Sequence, residues 1–429
     1  MCSAIRVVTR SKRLRLLKKG EAFLFEEEKR MLTLDKVYDA SRVLKEVVRP
    51  TACIYAPKVN EGVNTYLKTE NLQVTGSFKV RGAYYKISQL SDEEKSHGVI
   101  ACSAGNHAQG VALAAQKSGI KAVICLPDGA PISKVEATRS YGAEICLVPG
   151  VYDDAYAEAI RQRDEKGYTF VHPFDDENVI AGQGTIGLEI YNELQDVDVV
   201  VVPVGGGGLI SGVAYAIKQL KPSVRVYGVQ AEGAPSMKNS LAEDKILCLD
   251  NVHTIADGIQ VKEPGENTFE YCKKYVDDIV TVTDDEVSSA ILALIEQHKL
   301  ISEGAGAVSV AAVMFGKVPV EGKNVVCLVS GGNIDVTILS RVIKRGLLKS
   351  GRSDTMAIQL EDKPGQLLGV SKIIASLGGN VVSIHHERAS EDSDITDCIL
   401  RIVMETRDFE HIRQIRDALA ANGFKIVNK

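Results

Sequence analysis

The chain reads as an α/β protein: two lobes of parallel sheet covered by helices, then a small separate domain with the order β-α-β-β-α-β. Three observations predict this. From Gly98 to Val148 short β-branched runs alternate with helical stretches, the pattern of a helix-covered parallel sheet. The alternation resumes after Pro173. Around Leu347 to Asp354 the composition turns to Lys, Ser, Gly, Arg and Asp, which marks a linker.

Amphipathic pattern begins only at Leu34-Asp35-Lys36-Val37-Tyr38. Residues 1–30 carry a basic stretch from Arg6 to Lys19 and an acidic one from Glu21 to Glu28. They lack the apolar core of a secretory signal. They read as a disordered extension before a start at Met31, with an amphipathic presequence as the other reading. Residues 31–346 form the front part, with a smaller lobe over about 98–178. Its strands are Val99–Cys102, Ala122–Leu126 and Ile145–Val148, and its helices run from His107 to Lys117 and from Ser133 to Tyr141. The other lobe takes a helix near Thr185 to Leu194, the strand Val199–Val202, a glycine run, a helix through Leu220, and strands Val224–Val229 and Val325–Val329. A crevice is expected between the lobes. After a linker at 347–354, residues 355–429 give strands at Met356–Leu360, Asn380–Arg388, Ile395–Met404 and Lys425–Val427. Helices are expected at Gly365–Leu377 and Phe409–Ala421. That order is the ferredoxin-like split unit.

With 429 residues, 45% hydrophobic and 25% charged, the composition is that of an ordinary globular protein. A net charge of −5 gives no electrostatic reason to bind nucleic acid or an anionic membrane. The longest apolar run, Val197 to Leu209, is interrupted by Asp198, Pro203 and four glycines, too short and broken to span a bilayer. A soluble, cytoplasmic protein is expected. Nine cysteines lie scattered, without Cys-x-x-Cys or a Cys/His cluster at ligand spacing. Neither a disulfide framework nor a metal site is therefore expected.

The segment Thr75-Gly76-Ser77-Phe78-Lys79-Val80-Arg81-Gly82 sets one lysine among small residues. A lysine amine forms a Schiff base with an aldehyde cofactor, most commonly pyridoxal 5′-phosphate. A lone lysine is more often a surface charge, so its neighbours decide. Three turns each follow a strand, where ligands bind in open α/β sheets. Ser103-Ala104-Gly105-Asn106-His107 opens a helix whose amides suit a substrate carboxylate, and Asn106 adds an amide for a phenolic oxygen. A plain turn capped by Asn106 reads equally well. Gly205-Gly206-Gly207-Gly208-Leu209 can aim its N–H groups at a phosphate monoester. It lacks the endings of nucleotide and dinucleotide loops. Ser330-Gly331-Gly332-Asn333 offers a hydroxyl for a pyridine nitrogen, which leaves that nitrogen largely unprotonated and suits loss of a β-substituent.

Together Ser77-Phe78-Lys79 with Arg81-Gly82, Ser103 to Gly110, the tetraglycine loop and Ser330 to Asn333 resemble the fold-type II (tryptophan synthase β-like) pyridoxal-phosphate enzymes, and among them the threonine dehydratases. The resemblance covers roughly Asp35 to Lys344. The terminal domain resembles an ACT domain, with Asp362-Lys363-Pro364-Gly365-Gln366-Leu367 at its strand-to-helix turn.

The resemblance implies that Lys79 holds pyridoxal 5′-phosphate and then takes the substrate's α-proton. Phe78 would line the cofactor, Gly205, Gly206, Gly207, Gly208 and Leu209 would hold the phosphate, Asn106 the ring 3-oxygen and Ser330 the ring nitrogen. Ser103, Ala104, Gly105, Asn106 and His107 would receive the substrate. It implies conversion of L-threonine to 2-oxobutanoate and ammonia, and of L-serine to pyruvate. The alternatives are a dehydratase acting chiefly on L-serine and a non-catalytic amino-acid sensor. Ala104 stands where related serine racemases carry a second serine, which makes two-face proton transfer less plausible, and Glu303 resembles an acidic position lining the cofactor. No match to the racemases' divalent-metal ligands is found near Glu232. Isoleucine or valine is the expected effector at the terminal domain, and a homodimer or homotetramer the expected assembly.

Overall fold

The computed structural model describes residues 32–388 and 396–427, which divide between Asp335 and Val336 into two compact units. The extension expected at 1–30 lies outside the described residues.

In chain order the strands of the first unit are β1 (Cys53–Tyr55), β2 (Asn64–Lys68), β3 (Val99–Cys102), β4 (Ala122–Pro127), β5 (Glu144–Val148), β6 (Thr169–Phe170), β7 (Val199–Pro203), β8 (Arg225–Ala231), β9 (Asp278–Val282) and β10 (Asn324–Leu328). The alternation read from the sequence appears as two sheets. The smaller is ordered β5-β4-β3-β6 and wholly parallel. The larger is ordered β1-β2-β10-β7-β8-β9, parallel except where β1 meets β2. β7 is buried along its length, as a central parallel strand with both faces covered must be. Its Val200 and Val202 pack with Ile210, Val213 and Ile217 of the helix Gly208–Leu220.

The helix expected from Thr185 begins instead at Glu177 and runs to Glu193. Gly182, Gly184 and Gly187 weaken its helical signal. Gly184 and Gly187 lie where the helix Gly208–Leu220 comes close, and Gly182 where the helix Lys79–Ser88 does: a β-carbon on Gly182 would stand 2.6 Å from the Arg81 carbonyl oxygen, and one on Gly212 2.3 Å from that of Ile180. Packing thus overrides propensity here.

The second unit opens with a helix, Val336–Lys349, followed by β11 (Ser353–Glu361), β12 (Asn380–Glu387), β13 (Asp397–Glu405) and β14 (Lys425–Val427). The segment expected as a linker, 347–354, is the end of that helix, a short turn and the start of β11. Its charged and small residues reflect exposure rather than lack of structure. The sheet order β12-β13-β11-β14 is antiparallel throughout. With helices Gln366–Ser376 and Phe409–Ala421 it forms the ferredoxin-like unit. Its core gathers Ile358, Val370, Leu400, Ile402 and Ile415. No helix among the described residues is long and apolar enough to cross a membrane.

Candidate active site

Loops leaving the carboxyl ends of β2, β3, β7 and β10 converge, as ligand-binding loops do in open α/β sheets. The segment before Lys79 is stitched to the loop after β10. Ser77 bridges Gly331, the Phe78 amide donates to the Ser330 carbonyl at 3.1 Å, and the Gly332 amide donates to the Gly76 carbonyl at 2.8 Å. Lys79 then opens the helix Lys79–Ser88.

The Lys79 ammonium is half-buried and donates to the Pro173 carbonyl at 2.8 Å. Loss of hydration lowers its pKa to about 8, against the opposing pull of the Glu303 charge. The Phe78 ring centroid lies 5.2 Å from the amine. Beneath this helix is a buried ionic network. Arg81 donates to Glu70 at 2.8 Å and to Glu189, whose other oxygen also receives Lys68 at 2.7 Å. Burial pushes the Glu70 carboxyl up, but Arg81 outweighs it and leaves Glu70 lowered.

Asn106 is the first residue of the helix Asn106–Ser118, and the cap is Gly105, so the plain-cap reading of Asn106 does not hold. Its Nδ2 donates to Glu303 Oε1 at 2.6 Å, and its Oδ1 accepts from Asn333 Nδ2 at 2.8 Å. Glu303 is only 5% exposed. Burial, with Asp257 adding, raises its carboxyl to about 7, while Asn106, Lys134 and Lys79 pull it down. Ser103 Oγ accepts from the Gly105 amide at 3.1 Å. His107 is buried with a ring nitrogen 2.8 Å from the Val171 carbonyl, and burial lowers its pKa to about 3. It is a neutral packing group. Ala104 and Gly105 are half-buried.

The glycine loop ends β7 and opens the helix Gly208–Leu220, with Gly207 as its cap at φ +99°. The Thr268 hydroxyl donates to the Gly206 carbonyl at 2.6 Å, while the amides of Gly205, Gly206 and Gly207 have no partner among the described residues. The amides of the helix's first turn are unpaired by construction. Leu209 packs its side chain into the core. Only its N–H is available. The loop has no room for side chains: a β-carbon on Gly206 would meet the Phe174 ring at 2.5 Å. Unpaired amides at a helix start, with no side chain in the way, fit a phosphate monoester. Ser330, 3% exposed, makes only a long contact of 3.4 Å to the Ala305 carbonyl, which leaves its hydroxyl able to serve a ring nitrogen.

Sequence reasoning passed over His172-Pro173-Phe174-Asp175, which joins these parts. Pro173 receives Lys79, Phe174 covers the glycine loop, and Asp175 accepts from the Glu266, Asn267 and Thr268 amides at 3.1, 3.0 and 3.1 Å. The segment carries no glycine density, and its one signal was a proline three residues beyond the short strand β6. Asn333 stood in a recognised turn but was given no partner.

The profile of the family described as pyridoxal-phosphate dependent enzymes matches residues 44–331. The chain is 51% identical over 398 residues to the L-threonine ammonia-lyase of Thermotoga maritima, covering 92% of this chain and 99% of that one. It is 46% identical over 325 residues to the catabolic L-threonine dehydratase of Staphylococcus aureus, covering 74% and 93% of the two chains. Among solved structures, the processed form of threonine deaminase isoform 2 from Solanum lycopersicum superposes with a TM-score of 0.70 at 40% identity, covering 73% of this chain and 88% of that one.

Proposed function

The chain belongs to the family of pyridoxal-phosphate-dependent enzymes, and on that premise we propose that it is a carbon–nitrogen lyase converting L-threonine to 2-oxobutanoate and ammonia. L-Serine, giving pyruvate, is the lesser substrate. The observation that carries the substrate is 51% identity in an alignment covering 99% of a relative named for threonine. The intact Lys79 and the unpaired amides of the glycine loop argue against a non-catalytic sensor.

The residues divide the work by charge. The glycine-loop amides and the positive end of the helix Gly208–Leu220 hold the phosphate. Asn106, oriented by Glu303 and Asn333, would use its remaining N–H to hold the phenolic oxygen, and Ser330 would serve the ring nitrogen. The Ser103 and Gly105 amides are taken by the Cys125 carbonyl and the Ser103 hydroxyl, so the amides of Ala104, Asn106 and His107, at the start of a 13-residue helix, would hold the substrate carboxylate. When bound, the cofactor supplies the electron sink that makes the α-proton removable. Lys79 would hold the cofactor through its aldehyde, and its amine, lowered to about 8 by burial, would be the base for that proton. Ala104 offers no hydroxyl for proton return on the opposite face.

The domain reading is 31–346 for catalysis and 355–429 for regulation. There an ACT domain would bind isoleucine or valine in a cytoplasmic homodimer or homotetramer. The deciding experiment follows the bound cofactor's visible absorbance on adding threonine and assays the 2-oxoacid released. Faster turnover of serine than of threonine would reverse the substrate order, and absence of cofactor absorbance would revive the sensor reading.

A further inference from the structure

We propose that the second unit carries a binding site for a divalent ion of the zinc class, built from Asp362, His386 and Cys398. Their donor atoms all lie within 4.8 Å of one another.

The strand register brings them together. Leu360 of β11 pairs with Cys398 of β13, and His386 of β12 pairs with Leu400. Paired residues, and residues two apart on one strand, share a face of the sheet. Cys398, Leu400 and His386 therefore point the same way. Asp362 follows β11 on the side of Leu360 and is pinned there by its amide, which donates to the Thr396 carbonyl at 2.9 Å. The convergence belongs to the backbone and does not hang on one side-chain rotamer.

Cys398 is 1% exposed, free, and without a hydrogen bond among the described residues. Its sulfur lies on the inner side of the cluster, with Asp362 and His386 exposed at the rim. Arg388 Nε stands 3.2 Å from Asp362 Oδ2, which holds the carboxylate and leaves Oδ1 for an ion, as outer-shell partners do in metal sites. Thiolate, imidazole and carboxylate together suit zinc and exclude the all-oxygen preference of calcium and magnesium. Three protein donors leave the fourth tetrahedral position to water. An ion there ties the end of β11, β12 and the start of β13, making this unit's stability metal-dependent.

The test strips the full-length protein with a chelator and titrates it with Zn²⁺ alone and, separately, with Co²⁺. The expected result is about one ion per chain, with a sulfur-to-cobalt charge-transfer band in the near ultraviolet. Cys398→Ser abolishes that band. His386→Ala and Arg388→Gln each weaken binding by about tenfold or more. Cys248→Ser, at an exposed cysteine of the first unit, changes nothing. Because His386 is exposed, His386→Ala keeps the fold and decides the matter if Cys398→Ser does not fold. No binding by the wild type, a cobalt complex without the band, or affinity unaltered in His386→Ala overturns the proposal.

Discussion

The amide of Asn106 is gripped at both ends, donating to Glu303 at 2.6 Å and accepting from Asn333 at 2.8 Å. An amide so held cannot flip, and its second N–H keeps one direction. Asn333 is itself anchored to the Thr75 carbonyl at 2.7 Å. Space for it depends on Gly76, where a β-carbon would come within 2.3 Å of its side-chain oxygen. Asn333→Ala is expected to weaken cofactor binding about tenfold, or about 1.4 kcal/mol, in a fluorescence titration of the cofactor-free protein.

Glu303 makes stability depend on pH. Its folded carboxyl is raised from 4.5 to about 7, so the folded state holds more protons than the unfolded one between those values. Stability is therefore full below about pH 4.5 and falls as pH rises through about 7, by about 3 kcal/mol. Glu303→Gln removes that slope. Urea denaturation at pH 5, 6 and 7.5 checks it; equal slopes in both proteins would refute it.

Lys79, lowered to about 8 by burial, offers a neutral amine at a lower pH than an ordinary lysine. Capture of pyridoxal 5′-phosphate by the cofactor-free protein should quicken with pH and reach half its limiting rate near pH 8. Stopped-flow absorbance measures it, and a midpoint near 10 would contradict the assignment. Lys79→Ala should give no covalent capture at any pH.

Gly207→Ala meets two obstacles. The backbone there has φ +99°, and the new β-carbon would stand 2.6 Å from Met237 Cε. A cost of about 1–3 kcal/mol is expected from the backbone alone. Displaced amides should lower phosphate affinity, seen as tighter binding of pyridoxal 5′-phosphate over pyridoxal in the wild type but not in the variant.

Arg81→Met leaves the fully buried Glu70 without its principal partner. Removing one member of a buried ion pair costs about 3–5 kcal/mol, measurable by chemical denaturation. Replacing Arg81 and Glu70 together should cost less than Arg81→Met alone.

Much of the fold was legible because hydrophobic pattern is local. The valine run of β7 reads as a buried strand in any order of elements, and the alternation along the second unit gave its sheet. The start of the helix at Glu177 was not legible, since its glycines serve two neighbouring helices that local propensity does not contain. Lys79, Asn106, the glycine loop and Ser330 were legible as candidates because each lies in a turn with distinctive composition. The Pro173 and Phe174 wall was not, because its role lies in what it touches.

The sequence by itself determined the chemistry on offer: one lysine in a small-residue turn, a run of glycines before a helix, an asparagine and a serine after strands. These are properties of residue type and spacing, and chain order preserves them. Tertiary structure alone decided which groups meet. Glu303 and Asn333 lie 197 and 227 residues from the Asn106 they orient, and Glu303 owes its raised pKa to burial. Hydrogen bonding acts over about 3 Å, and desolvation depends on what surrounds a group, so both exist only once the chain has folded.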